Sequence, residues 1–362
     1  MSDSIAEPLS FVCAPAIAAK DRIVLGHGSG GRLSAELLRD VFLPMFSNPI
    51  LDRMDDQAVL EIGGSRLAFT TDSFVVQPLF FPGGDIGSLA VHGTVNDLAM
   101  GGARPLFLSV AFILEEGLPT ETLRRIVASM TEASAAAGVS IVTGDTKVVE
   151  RGKGDGVFIN TTGIGIVPEG VSLSANQARP GDRVLLSGSI GDHGIAILAR
   201  REGLEFDAEI VSDSAPLHEM VAAMLGVSTQ GAASGQIRCL RDPTRGGLSS
   251  SLNEIASQSG VSIQLEETAI PIRDEVKGAC ELLGFDPLYV ANEGKLVAIV
   301  APEAADAVLD AMRHDQRGAD AQIIGTVGGR IGAGRARVTL RTAFGSTRIV
   351  DLLAGDQLPR IC

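Results

Sequence analysis

The sequence predicts a two-domain protein of the α/β (α+β) class, on three observations. Strand-like and helix-like segments alternate through both halves of the chain, as packed layers of sheet and helix require. The length of 362 residues corresponds to about two domains at roughly 150 residues each. Each half is long enough to bury its own core without a disulfide or a metal. A polar, turn-rich stretch over 168–180 separates the halves.

The elements follow in order. Residues 1–20 lack the basic start of a secretory leader and read as a short extension outside the fold. In the first domain, 21–168, the apolar spacing predicts a helix over 33–42, strands over 58–62 and 65–70, and a helix over 85–100. A strand over 105–113, a helix over 120–138 and strands over 140–143 and 157–167 complete it. Thr120 suits a helix start and Gly138 a helix stop. In the second domain, 169–341, strands are expected over 183–187, 261–265, 295–300 and 322–327. Helices are expected over 191–200, 216–225, 248–259 and 302–312. The segment 342–362 shows no helical period and reads as a flexible tail carrying Cys362. There is no internal repeat.

Composition narrows the function. Lys and Arg total 30 against 44 Asp and Glu, a net charge of −14. So acidic a surface argues against nucleic acid or an anionic membrane as a partner. No apolar run reaches the roughly 18 residues of a membrane-spanning helix. The chain has no Trp and one Tyr, so its core is aliphatic. The cysteines at 13, 239, 280 and 362 form no CxxC pair and suit neither a zinc site nor a disulfide framework. A reducing, cytoplasmic location follows.

Five motifs carry possible chemistry. Gly26-His27-Gly28-Ser29-Gly30-Gly31 fits GxGxxG formally, with Asp52, Asp55 and Asp56 some way on. That pattern admits a dinucleotide fold. The aspartates that crowd this half favour a phosphate and metal ligand instead. In either case glycine lets backbone N–H groups approach phosphate oxygens. Next come aspartates at expected strand ends, turns and a helix: Asp55 and Asp56, Asp72, Asp97 beside Asn96, and Asp145 in Gly144-Asp145-Thr146-Lys147. A few carboxylates together with phosphate oxygens suit Mg²⁺, and there is no GxxxxGK[ST] to indicate a P-loop. Asp85, Ser88, His92 and Asn96 share one face of the expected 85–100 helix, after a Gly-Gly turn. Arg241-Asp242-Pro243-Thr244-Arg245-Gly246-Gly247 leads into a helix, a setting that suits phosphate. Finally, Glu293 lies in the turn Ala291-Asn292-Glu293-Gly294-Lys295.

Together these motifs resemble the HypE family of hydrogenase maturation factors, within the superfamily of aminoimidazole ribonucleotide synthetase, selenophosphate synthetase and thiamine-phosphate kinase. The resemblance rests on HGSGG at 27–31, TTDSFVVQPLFFPGGDIG at 70–87, GTVNDLAMGGA at 93–103 and VTGDTKVV at 142–149. It continues in RDPTRGGL at 241–248, DPLYVANEGK at 286–295 and the ending Pro359-Arg360-Ile361-Cys362. It implies a two-domain ATP-binding fold like that of aminoimidazole ribonucleotide synthetase, and a homodimer formed through the first domain. It also implies ATP-dependent dehydration of a carbamoyl group that a HypF carbamoyltransferase has placed on Cys362. The cyano group would then pass to iron on a HypC–HypD scaffold, for the cyanide ligands of a [NiFe] hydrogenase.

That chemistry assigns roles. Asp55, Asp56, Asp72, Asp97 and Asp145 would hold Mg²⁺. Gly28, Ser29, Gly30, Gly31, Asn96, Thr244, Arg245, Gly246 and Gly247 would contact ATP. The base that removes protons from the carbamoyl nitrogen would be Glu293, Lys147 or His92, with Glu293 first; Lys147 suits phosphate better, and His92 suits a structural place on its helix. The alternatives are a small-molecule kinase or synthetase of the same superfamily, and then a nicotinamide oxidoreductase. A kinase has no use for Cys362.

Overall fold

The computed structural model describes residues 22–204, 206, 208–229, 235–331, 337–353, 355 and 360–362. The 1–20 extension lies outside them. The first helical segment is not one helix over 33–42. Helices α1 (Arg32–Leu37) and α2 (Leu43–Phe46) flank a wide π-type turn over Leu38–Phe42. Pro44 has no N–H to give the Asp40 carbonyl, and a widened turn accommodates that missing bond.

Strands β1 (Ala58–Ile62) and β2 (Ser65–Phe74) form a hairpin. Gly63 and Gly64 close it with φ of 59° and 82°, the positive values a two-residue turn of this hand needs. A short ribbon of β3 (Phe80–Phe81) and β4 (Gly84–Asp85) follows. Then come α3 (Ile86–Met100), β5 (Arg104–Glu115), α4 (Thr120–Ala136), β6 (Ser140–Val149) and β7 (Val157–Ile166). The sheet order is β1-β2-β7-β5-β6. Only β5 and β6 are parallel, because α4 carries the chain back between them. Helices α3 and α4 cover one face over a core that includes Phe74, Leu89, Leu108, Ile126, Met130 and Ile159. The opposite face leaves Phe69, Phe107, Ile113, Ile164 and Ile166 exposed.

The second half adds β8 (Arg183–Leu186), α5 (Asp192–Glu202), α6 (His218–Thr229), β9 (Ile237–Arg241), α7 (Gly247–Ser259), β10 (Val261–Glu266) and α8 (Asp274–Leu283). It ends with β11 (Val297–Val300), α9 (Ala305–His314), β12 (Gln322–Arg330), β13 (Val338–Arg341) and β14 (Thr347–Val350). Its sheet runs β14-β13-β10-β12-β8-β11-β9. Strand β11, between β8 and β9, is buried along its whole length, and α7 packs on β10 and β13. Helix α3 of the first half packs on α6 and β9 of the second, so the two halves meet through α3. Among the described residues no helix is long and apolar enough to cross a membrane.

Further sequence expectations change, and strands β9 and β13 were not expected at all. Strands 65–70 and 140–143 run on to Phe74 and Val149, so the motifs around Asp72 and Asp145 lie inside strands rather than at their ends. Helix α8 was not expected, although Val276, Ala279 and Cys280 mark its buried stripe. The 342–362 segment is not wholly a tail: β14 pairs antiparallel with β13. With only Val350 of its four residues buried, β14 has no period to detect.

Candidate functional site

Four carboxylates meet where β2, α3 and β9 converge. Alternation along β2 turns Thr70 and Asp72 to the same side as the buried Ala68 and Phe74, toward α3. Thr70 Oγ1 lies 2.9 Å from Asp97 Oδ2 on α3. Asp56, before β1, is held by Arg241 at the end of β9, with Nη1 to Oδ1 at 2.5 Å. Arg241 also pairs with Glu254 at 3.2 Å and donates to the Met54 carbonyl at 2.6 Å. Asp242 follows directly. Burial lifts every member of the set, and for Asp97 and Asp242 repulsion from the others adds to it. Asp56 is pushed to about 6 despite Arg241. Asp242 rises to about 8, by burial and then by Asp56. Asp97 stands well above the carboxylate range, by burial and then by Asp242, Asp72 and Asp56. Asp72 is raised by burial and eased by Arg245, whose Nη2 lies 3.7 Å away. Clustered carboxylates that protein cations only partly neutralise suit a divalent cation.

Cys362 comes to the edge of this cluster. Burial raises its thiol pKa; Arg245 opposes, while Glu293 and Asp72 raise it further, Glu293 also by a hydrogen bond. Glu293 is 3% exposed, and its Oε1 has no hydrogen-bond partner. Burial, then Asp242, Asp72 and Asp213, hold its carboxyl well above the usual range. Its backbone is anchored: Glu293 N donates to Asp213 Oδ1 at 3.1 Å, and Glu293 O accepts from Ala215 N at 3.4 Å. A buried carboxyl with one free oxygen and high proton affinity, beside a thiol, has the placement of a general base.

The two glycine-rich segments meet here as well. Gly30 has φ of 72°, and a Cβ on it would stand 2.4 Å from the Arg245 carbonyl oxygen, so only glycine fits. Thr244, Arg245, Gly246 and Gly247 form the turn into α7, with Gly247 N bonded to Thr244 O at 2.9 Å. The loop of Gly28, Ser29, Gly30 and Gly31 also lies against Leu353 and Gly355: a Cβ on Gly31 would stand 2.5 Å from Leu353 O, and Ser29 Oγ donates to Gly355 O at 3.2 Å. Among the described residues no strand precedes this loop; a 3₁₀ turn, Leu25–Gly28, takes that place. The strand–loop–helix order of a dinucleotide fold is therefore missing.

Other expected site residues lie elsewhere. Asp55 Oδ1 accepts from Ser174 Oγ and Ala175 N, both at 3.0 Å, and so caps the turn Ala175–Gln177. Asn96 is 1% exposed. Its amide donates to Ala215 O at 3.0 Å and Glu293 O at 3.3 Å, and accepts from Leu217 N at 2.8 Å. It braces the loop behind Glu293 instead of facing a phosphate. Asp145 and Lys147 pair with each other at 3.2 Å on exposed β6. Their register with Ala111 and Ile113 puts them on the sheet face away from α3, so one protomer does not bring them to Asp72. His92 bonds Ser214 Oγ at 3.0 Å. Burial, helped by Arg317, lowers its pKa to about 4, a structural role.

Sequence reading missed Asp242, Arg241, Asp213 and His193. The first two stood inside a motif already singled out. His193 had one signal, Gly191-Asp192-His193-Gly194 at the start of α5.

Comparisons with known proteins agree with this geometry. Residues 54–167 match the family model described as AIR synthase related protein, N-terminal domain, and residues 179–335 match that of its C-terminal domain. The chain is 60% identical over 336 residues to the carbamoyl dehydratase HypE of Azotobacter vinelandii, spanning 93% of this chain and 96% of that protein. A solved HypE–HypF complex contains a chain 49% identical to it, with TM-score 0.81, covering 88% of this chain and 99% of the other. The hydrogenase maturation protein HypE solved in complex with ATP is 52% identical, with TM-score 0.78, covering 94% and 100%.

Proposed function

Because the chain belongs to the HypE family of AIR synthase related proteins, we propose that it is a carbamoyl dehydratase acting on its own Cys362. In this reaction R–S–C(=O)NH₂ becomes R–S–C≡N: the oxygen leaves as phosphate and the nitrogen gives up two protons. The observation that carries the reading is the seat of Cys362 against Glu293, Arg245 and Asp72. Bound Mg²⁺-ATP would supply the phosphoryl group that makes the carbonyl oxygen a leaving group, a transfer governed by positioning and charge. One or two carboxylates from the set Asp56, Asp72, Asp97 and Asp242 would hold the metal directly. Among the described residues no three His, Cys, Asp or Glu side chains close on a metal ion. The shell would then be completed by water and phosphate, as Mg²⁺ prefers. Glu293 would take the nitrogen protons, and Arg245 and Thr244 would face phosphate. Residues 21–168 would bind the nucleotide and dimerise. The ATP complex of one relative supports the nucleotide, and the HypF complex of another supports a HypF carbamoyltransferase as carbamoyl donor. The cyano group would pass to iron on a HypC–HypD scaffold in the cytoplasm.

The apolar outer face of the first sheet supports a homodimer. Phe69, Phe107, Ile113, Ile164 and Ile166 are each more than a third exposed there, and such a patch marks an interface. A second copy on this face would cover Asp145 and Lys147 and give them a site that they do not reach within one protomer.

The test is the intact mass after incubation with a HypF carbamoyltransferase, carbamoyl phosphate and ATP. Cys362 should gain one carbamoyl group and then lose one water, and Cys362→Ala should do neither while still binding ATP. A Cys362→Ala protein that acquires both changes would overturn the reading.

A further inference from the structure

The turn that carries Glu293 is held from two sides, and the two sides differ in kind. On one side Asn292 ties it to the segment before α7. Its N–H and its side-chain amide both donate to the Pro243 carbonyl, at 3.1 and 2.9 Å, and its Oδ1 accepts from Gly191 N at 2.7 Å. All three bonds join neutral groups. On the other side lies the loop before α6, and there the acceptor is a carboxylate. Asp213 Oδ1 accepts from Glu293 N at 3.1 Å. Its Oδ2 takes no hydrogen bond and faces Lys295 Nζ at 3.5 Å, with the two side chains 4% and 10% exposed. Lys295 is itself fixed. Its Nζ donates to the Gly294 carbonyl at 3.3 Å, and its stem lies against Gly188, where a Cβ would stand 3.3 Å from Lys295 Cε. Turn and loop touch backbone to backbone, since a Cβ on Gly294 would stand 1.7 Å from the Asp213 carbonyl oxygen.

A buried ion pair of this geometry is a poor device for stability. Taking two charges out of water is costly, and an apolar pair of the same volume is often as stable or more so. A backbone N–H needs no more than a neutral acceptor. What the pair adds is a carboxylate clamped in one orientation against Glu293 N. With one oxygen of the Glu293 carboxyl free, the aim of that side chain depends on where its backbone is held. We propose that Asp213, clamped by Lys295, is a positioning residue for the dehydration, fixing the Glu293 backbone so that the carboxyl stays aimed at the group on Cys362. The assignment rests on Glu293 being the base of the proposed function.

The test compares two double variants. Asp213→Asn with Lys295→Met removes both charges and keeps an oxygen acceptor for Glu293 N. Asp213→Leu with Lys295→Met removes both charges and the acceptor at nearly the same volume. Neither leaves a buried charge unpaired, and the two carry the same charge near Glu293, so a difference between them is one of position. Each protein is carbamoylated on Cys362 by a HypF carbamoyltransferase and then given ATP. Loss of water is followed by intact mass in a single turnover, and ATP affinity by calorimetry. The asparagine pair should dehydrate within about threefold of the parent, because a neutral acceptor replaces a charged one. The leucine pair should be slower by about ten- to a hundredfold, the scale of a misplacement of up to about 1 Å, with ATP affinity unchanged. If the leucine pair does not fold, Asp213→Ala with Lys295→Met takes its place under the same expectation. Equal dehydration rates in the two folded double variants would overturn the assignment, and so would a loss of ATP affinity that parallels the loss of rate. A parent that loses no water would instead overturn the proposed function, and this assignment with it.

Discussion

Glu293→Gln separates chemistry from scaffold at this site. The carboxyl is 3% exposed, and one of its oxygens has no partner. The bonds that fix the residue come from its backbone, to Asp213, Ala215 and Asn96, and glutamine retains them. The new amide N–H group would face a region crowded by Asp242, Asp72 and Asp213, so the fold should be as stable as before, with Tm within about 4 °C, the shift that 1 kcal/mol gives in a large domain. Loss of a general base costs about 10²–10⁴ in rate, or about 3–5 kcal/mol at 1.36 kcal/mol per tenfold. The assay starts from protein already carbamoylated on Cys362, adds ATP, and follows loss of water by intact mass in a single turnover. Carbamoylation and ATP affinity should match the parent. A dehydration rate within tenfold of the parent would refute the base assignment. Lost ATP binding would refute it too, by making Glu293 a nucleotide contact.

Asp72→Asn should leave the fold intact and weaken Mg²⁺-ATP about ten- to a hundredfold, the cost of one charge-assisted contact; unchanged affinity by calorimetry would remove Asp72 from the metal set. Phe107→Arg places a charge in the exposed apolar face of the first sheet and should turn a dimer into a monomer by light scattering. A stable monomer in the parent would end the dimer reading. His92, lowered from 6.5 to about 4, is neutral when folded, while the unfolded chain takes up a proton below about 6.5. Stability should therefore fall as pH drops from about 6.5 through 4, by about 1–3 kcal/mol from this residue. His193 shifts in the same direction, so the measurement is the difference in Tm between the parent and His92→Asn across that window. A difference that stays flat with pH would refute the assignment.

Local physics was legible in the sequence, and long-range pairing was not. Strand 58–62 and helix 120–138 carried their own period, and the structure places elements at Ala58–Ile62 and Thr120–Ala136, with Pro119 rather than Thr120 at the helix cap. Glu293 stood out as an ionisable residue in a glycine turn, but its burial depends on Asp213 and Asn96, which are remote in sequence. Asp242 lay inside a motif already noted, yet its importance comes from Asp56, Asp72 and Asp97 arriving from the other half of the chain. Asp145 shows the opposite limit. Its residue type and neighbours resembled those of Asp72, and only the strand alternation, read once the register with β5 is known, puts it on the other face of the sheet.

The electrostatics of the seat also divides the work of Cys362 in time. Burial, Glu293 and Asp72 keep the docked thiol protonated against the pull of Arg245. A protonated thiol is a poor nucleophile, so the docked residue is unsuited to accept a carbamoyl group. Once carbamoylated, the sulfur has no proton to lose, and the acidic surroundings no longer act on its ionisation. The carbamoyl nitrogen then meets Glu293, whose raised proton affinity is what its deprotonation requires. Under the proposed function, loading belongs to an undocked segment and dehydration to a docked one. The same carboxylates that silence the free thiol thus supply the base for the loaded one.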